Sequence, residues 1–436
     1  MGKSQELYKS ARQIIPGGTQ LLSKRPEMFL PEKWPAYYSK VKGCHVWDLD
    51  GNEYMDAITM GIGSCVIGYA DDEINAAVKY VIDCGSMSSL NAPEEVELAE
   101  LLLKLHPWAE SVRYAKSGGE SLSIAVRIAR AHTKKDVVLF CGYHGWSDWY
   151  LSANLHENTA LDGHLLKGLE PLGVPRGLLN TAKPFMFNDL DAFKKLVAEN
   201  KGNVAAVVLE PIRDSYPDKE FMSEIRRITK EEGIVLIIDE VTAGFRICCG
   251  GSHLVLGITP DIAVLAKAIA NGYPMAAIIG RKEVMEAAQS TFISSTFWTE
   301  RIGLAAAVAT IKKYQRENVN IHLDKIGKMV HDGWLELATK HNIKLHVSDV
   351  YPILHFAFEY ENTLVLKTLF TQEMLKKGFL ASNVFYASFA HKEADVQSYL
   401  SAVDLVFEYI SQAIKTGNAE SLLEGPVCHE GFQRLT

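Results

Sequence analysis

Between about residues 95 and 310, short unbroken apolar runs alternate with longer stretches whose apolar residues recur every three or four positions. The runs 112–115, 137–140, 205–209, 235–238, 262–265 and 276–279 are rich in Val, Ile, Leu and Ala. Runs of this kind suit strands buried on both faces. Helical patterns fill most of the gaps, including 190–199 and 222–232. Strand–helix alternation of this length predicts an α/β domain with a mainly parallel sheet covered by helices. After a helix expected over 303–315 the pattern changes. Residues 316–436 predict a helix, strands at 346–348 and 353–358, and helices over 365–377 and 392–415, a smaller α+β domain.

The N-terminal region reads differently. Residues 4–15 form an amphipathic helical pattern stopped by Pro16-Gly17-Gly18. A loop-rich stretch with Pro26, Pro31 and Pro35 follows, and 45–56 reads as two short strands joined at Asp50-Gly51-Asn52. The expected division is an N-terminal segment over 1–75 that packs with the small domain, a large domain over 76–315 and a small domain over 316–436.

Composition narrows the field. A net charge of -8 argues against nucleic acid and anionic membrane surfaces, which demand excess Lys and Arg. The start, MGKSQELYKSARQ, has no signal-peptide core, and no apolar run reaches the length of a membrane span. Seven scattered cysteines without a CxxC pair read as reduced thiols, so a cytoplasmic location is expected. No HExxH or HxxxH pair is present, so no metal is expected.

Chemistry-bearing residues stand at the ends of successive strands. Run 235–238 ends in Asp239-Glu240, and run 262–265 is followed by Lys267. Open parallel sheets bind ligands outside the carboxyl ends of their strands. A lysine and a carboxylate there suit a pyridine-aldehyde cofactor, the lysine as Schiff-base amine and the carboxylate as partner of the ring nitrogen. Taken singly, each is also an ordinary cap or a solvated charge. Ser117-Gly118-Gly119-Glu120 lies between a strand and a helix, a place for a phosphate, although S-x-x-E is equally a capping box. Tyr143 follows run 137–140 and could stack on a flat ring; Glu210 closes run 205–209 before Pro211. Thr296 precedes the 303–315 helix, where its hydroxyl could cap the helix or reach a phosphate.

SGGE at 117–120, YHG at 143–145, EP at 210–211, DEVTAGFR at 239–246 and PDIAVLAKAIANGYP at 260–274 resemble the class III pyridoxal-phosphate aminotransferases over nearly the whole chain. SQELYKSARQIIPGG, YHGWSD, FNDLDAF and TQEMLKKGF are most similar to the glutamate-1-semialdehyde 2,1-aminomutase-like subgroup. The resemblance implies the type I PLP-dependent aminotransferase fold and pyridoxal 5'-phosphate as cofactor. It also implies a homodimer with a shared active site, the N-terminal segment against the partner subunit, and a small-molecule amino donor and carbonyl acceptor. Lys267 would form the Schiff base and shuttle the proton, and Asp239 would pair with the pyridinium. Tyr143 and Val241 would cover the two ring faces, and Ser117, Gly118 and Gly119 would hold the phosphate. Thr296 would reach in from the second subunit, and Glu210 would stand near the cofactor.

Departures from the family pattern fall on the substrate side. Gly119 stands where Thr or Ser is usual. Lys24-Arg25 replace an arginine that grips the substrate carboxylate in the aminomutases. Ile212-Arg213-Asp214-Ser215 replaces a Gly-Asn stretch, and Thr296-Phe297-Trp298-Thr299-Glu300-Arg301 replaces T-x-x-G-N-P. Lys24, Arg25, Arg213 and Arg301 are candidate anion binders, with structural ion pairing as the other reading for Arg213 and Arg301. Three functions stay open: intermolecular amino transfer, which the altered positions favour; intramolecular aminomutase isomerisation; and a non-catalytic module, against which the intact Lys267–Asp239 pair counts.

Overall fold

The computed structural model describes residues 2–164, 167–212 and 214–432. The chain divides into two compact units, Met1–Asp71 with Ile321–Thr436, and Asp72–Asn320. In chain order the first unit opens with β1 (Tyr38–Lys42), β2 (His45–Asp48) and β3 (Glu53–Ala57). The second holds β4 (Ser111–Ala115), β5 (Val137–Cys141), β6 (Ala182–Pro184), β7 (Val204–Leu209), β8 (Val235–Asp239), β9 (Ile262–Leu265) and β10 (Ala276–Gly280). The first unit resumes with β11 (Leu345–Val347), β12 (Ile353–Phe358), β13 (Phe379–Ala381) and β14 (Val384–Tyr386).

The second unit is built on one seven-stranded sheet, ordered β4-β10-β9-β8-β7-β5-β6. β5 through β9 pair in parallel, and only β10 is antiparallel to its neighbours, β4 and β9. The other six strands therefore end at one edge. Every residue of β5, β7, β8, β9 and β10 is buried, as their unbroken apolar runs require. Alternation divides the side chains between two cores. Val138, Phe140, Val208, Ile237 and Val264 pack with Leu122, Ile128 and Ala129 of the helix Gly118–Thr133. Leu139, Val207, Leu209, Leu236 and Ile238 pack with Phe193, Phe221 and Ile225 of the helices Leu190–Glu199 and Lys219–Glu231. Each fully buried aliphatic side chain contributes about 1.5–3 kcal/mol.

In the first unit the two ends of the chain share a sheet. β1, β2 and β3 form an antiparallel meander, and β13 joins β3 in parallel, Leu380 opposite Asp56. A second sheet, β11-β12-β14, lies in the same unit. Its Phe356 contacts Trp334, Phe370 and Phe407.

Four strands escape hydrophobic patterning. β6, β13 and β14 are three residues each, too short to show a period. β1 (YSKVK) is mostly exposed and carries no apolar signal. The helix expected from residue 303 begins earlier, spanning Arg301–Arg316, because Glu300 caps it by accepting from the Ile302 and Gly303 amides.

Gly327, in the helix Val319–Lys340, faces the backbone of Tyr351. A Cβ there would lie 1.9 Å from the Tyr351 carbonyl oxygen. Backbone cannot give way as a side chain can. Gly327→Ala should therefore destabilise the protein by about 1–3 kcal/mol, read as a lowered melting temperature. An unchanged value would show that the helix can move away from residue 351.

Candidate active site

The six parallel strands deliver their following residues to one edge of the large sheet. Ser117 stands two residues past β4, Tyr143 two past β5 and Glu210 one past β7, while Asp239 ends β8 and Lys267 stands two past β9. The structure thus brings together at one sheet edge all five positions singled out along the chain.

Asp239 is buried, and both its oxygens are held. Oδ1 accepts from the Val241 amide at 3.0 Å, and Oδ2 lies 2.8 Å from His144 Nδ1. The other ring nitrogen of His144, Nε2, meets the Cys141 carbonyl oxygen at 3.1 Å. Each ring nitrogen of this buried histidine thus faces an oxygen, which fixes the ring beside the carboxylate. Sequence reasoning missed His144. The signal was its place beside Tyr143, in a turn known to reach the same edge.

The neighbouring carboxylate faces the other way. Successive strand residues point to opposite sides, and Glu240 enters a separate buried network. It accepts from the Ser252 amide and hydroxyl and from the His253 amide, and lies 2.7 Å from His253 Nδ1. Trp108 Nε1 donates to His253 Nε2 at 3.0 Å, and the Gly251 amide donates to His106 Nε2 at 3.1 Å. Burial opposes the charge on Glu240, but the bonds from His253 and Ser252 outweigh it and hold the pKa below the ordinary range.

Lys267 has φ +47°, in the left-handed region that disfavours a branched Cβ. Such a residue costs about 1–2 kcal/mol and persists only where the surroundings impose it. Its Nζ donates to Thr242 Oγ1 at 3.1 Å. Thr242 is another residue that sequence reasoning passed over.

The glycines make the edge compact. Gly142 has φ +114°, and a Cβ there would lie 2.7 Å from Glu210 Oε2, so glycine admits the carboxylate that accepts from the Tyr143 amide at 3.0 Å. A Cβ added at Gly118 would meet Val241 Cγ1 at 2.9 Å. Gly119 is bordered by Trp146, whose Cδ1 would lie 3.6 Å from a Cβ at that position. The expected capping box does not form. The Ser117 hydroxyl makes no cap bond and is exposed, while Glu120 accepts from the Lys116 amide at 2.9 Å. Lys116 Nζ instead forms a 3.0 Å ion pair with Glu300.

The candidate substrate residues are not gathered in this way. Both Arg301 Nε and Nη2 donate to Glu94 at 2.8 Å, so this guanidinium serves an ion pair. Lys24 is exposed and belongs to the first unit, as does Arg25, whose guanidinium lies 5.9 Å from the Phe432 ring. Arg213 lies outside the described residues. Thr296 is exposed at the start of the short turn Thr296–Thr299.

Residues 31–384 match the family model for aminotransferase class-III. The chain belongs to the class-III aminotransferases. It is 32% identical over 431 residues to the glutamate-1-semialdehyde 2,1-aminomutase of Methanocaldococcus jannaschii, covering 94% of this chain and 98% of that protein. It is 33% identical over 327 residues to the 3-aminobutyryl-CoA aminotransferase of Cloacimonas acidaminovorans, covering 73% and 74% respectively. Among solved structures it is similar to the FumI protein of Sphingopyxis sp. MTA144 in its PLP internal aldimine form, with a TM-score of 0.86 and 25% identity over 95% of this chain and 98% of that one. This class-III aminotransferase therefore has the type I PLP-dependent fold and uses pyridoxal 5'-phosphate. The residues at its sheet edge fit that cofactor: an amine, a buried carboxylate, an aromatic side chain and a Ser-Gly-Gly turn opening a helix.

The network beneath the site makes the enzyme sensitive to acid. Burial pushes His106 from 6.5 down to about 4, so the folded protein holds it neutral where the unfolded chain would protonate it. Its contribution is complete above pH 6.5 and is lost as pH falls toward about 4, amounting to about 3 kcal/mol. The melting temperature should fall over that window, and less steeply in His106→Gln. Parallel curves for the two proteins would assign the acid sensitivity to other groups.

Proposed function

We propose that this enzyme moves an amino group from an amino-acid donor to an aldehyde or ketone acceptor, with Lys267 as its catalytic amine. The observation that carries the reading is the meeting of Lys267 and Asp239 at adjacent strand ends, the lysine held by Thr242 and the carboxylate by His144. When bound, pyridoxal phosphate supplies an aldehyde for amines and a protonated ring that takes up the electrons of a broken C–H bond.

The chain's own groups do the rest. Lys267 Nζ would hold the cofactor through its aldehyde carbon and would move a proton at the donor carbon. Asp239, positioned by His144 and the Val241 amide, would pair with the ring nitrogen. Tyr143 and Val241 would cover the ring, with Glu210 fixing the Tyr143 backbone. Ser117, Gly118 and Gly119 bind the phosphate through hydroxyl and amide groups at a helix start, where the dipole favours an anion.

A homodimer with shared sites is part of the proposal. Thr296 sits among exposed apolar residues, Phe292 at 92% and Phe297 at 66% accessible, a composition suited to a subunit interface at which Thr296 meets the partner's cofactor phosphate. A cytoplasmic location fits the seven free cysteines, and no helix among the described residues is long and apolar enough to cross a membrane. The aminomutase reading stands second, favoured by the full-length similarity to one. Transfer is preferred because Glu300 and Arg301, which replace the Asn-Pro of the usual motif, are committed to ion pairs and rebuild that wall.

The purified enzyme should show a visible cofactor band that bleaches with L-glutamate. A band indifferent to glutamate but responsive to the semialdehyde would move the assignment to the aminomutase. Lys267→Ala should fold and bind cofactor yet lose at least about 100-fold in turnover; wild-type turnover would exclude the assigned role. His144→Phe, which strips a hydrogen-bond partner from Asp239, should weaken cofactor binding about 10-fold or more, followed by fluorescence titration. Unchanged affinity would mean that Asp239 does not depend on His144.

A further inference from the structure

The helix Gly118–Thr133 carries a second feature beyond its first turn. Ser123, Arg127 and Arg130 follow Gly119 at spacings of four, eight and eleven, so they lie along one stripe of the helix. Together with residues 146–149 they line a cavity of about 400 Å³. Ser123 Oγ bonds both the Gly119 carbonyl and Ser147 Oγ, at 2.9 and 2.6 Å, forming a ridge between this cavity and the Ser117–Gly119 turn.

Several donor groups stand in this lining. Trp149 is 6% exposed, and its Nε1 is buried without a hydrogen-bond partner. Such an N–H costs free energy unless an acceptor reaches it. Arg127 is exposed and bonds no described residue. Arg130 donates to the backbone carbonyls of Asp136 and Thr181; burial disfavours its charge and the Asp136 carboxylate only partly offsets that. The exposed Asp148 is the one carboxylate in the lining, against two guanidinium groups, in a chain whose net charge is -8. Trp146, 74% exposed on the same wall, offers an indole face for a flat group.

We propose that this cavity binds the phosphate group of a small molecule, with Arg127 and Arg130 as counter-charges and Trp149 Nε1 as a neutral donor. Paired guanidinium groups suit phosphate oxygens because their planar forks donate two parallel bonds. The lining adjoins the Ser117–Gly119 turn but shares no residue with it, and the proposal does not depend on the role assigned to Lys267.

The test uses full-length protein loaded with pyridoxal phosphate and freed of excess, titrated calorimetrically with AMP and with inorganic phosphate. Saturable binding is expected, about tenfold weaker in Arg127→Gln and several-fold weaker in Trp149→Phe. AMP binding more tightly than phosphate would identify a phosphate ester whose ring meets Trp146; equal affinities would identify free phosphate. The cofactor band should be the same in Arg127→Gln and wild type, which separates this site from the cradle. Absence of binding by either probe, or affinities that Arg127→Gln leaves unchanged, overturns the proposal. Arg127 is exposed, so its variant remains informative even if Trp149→Phe fails to fold.

Discussion

At residue 239 the chain passes from a strand buried between β7 and β9 to two adjacent carboxylates, and both are buried. An unpaired buried charge costs several kcal/mol, so each must find its own partners. Strand alternation sends them to opposite sides, and a histidine meets each: His144 for Asp239, His253 for Glu240. Much of the site follows from this requirement. The turn that carries His144 also carries Tyr143 and Trp146, and its backbone is tied to Glu210. On the other side, Ser252, His253, Trp108 and His106 are drawn into one network beneath the end of β8.

At the same edge local preference gives way in several places. Lys267 takes a left-handed backbone, Gly142 makes room for Glu210, and Gly118 lies against Val241. Conflicts between local preference and fold gather where function constrains a protein. Here they fall where the parallel strands end, the place that open α/β sheets reserve for ligands.

Charge in this enzyme divides into two kinds. Lys116–Glu300 and Arg301–Glu94 tie the start of the helix Arg301–Arg316 to neighbouring segments, and Glu300 caps that helix as well. These charges are spent on structure. Asp239 and Lys267 are different, because they stand where the parallel strands end, Asp239 bonded to His144 and Lys267 to Thr242. A glutamate-1-semialdehyde 2,1-aminomutase and a 3-aminobutyryl-CoA aminotransferase both match the chain, so membership of the family does not by itself choose between the two reactions.

The order of apolar runs was enough to determine the parallel sheet, because strands buried on both faces must be apolar throughout. Tyr143, Glu210, Asp239 and Lys267 were legible for a related reason: a charge or aromatic residue following such a run has only the sheet edge to occupy, while Ser117 was marked by the Gly-Gly turn that opens a helix. The FWTER block at 297–301 could be recognised as a departure, but not interpreted. Only the tertiary structure showed that Arg301 is taken by Glu94, that Ser117 leaves its cap bond unmade, and that His144 and His253 each bond one of two neighbouring carboxylates. Those pairings join residues up to 207 positions apart. Hydrophobic period records which face a residue turns to, and it carries no information about which distant side chain will be waiting there.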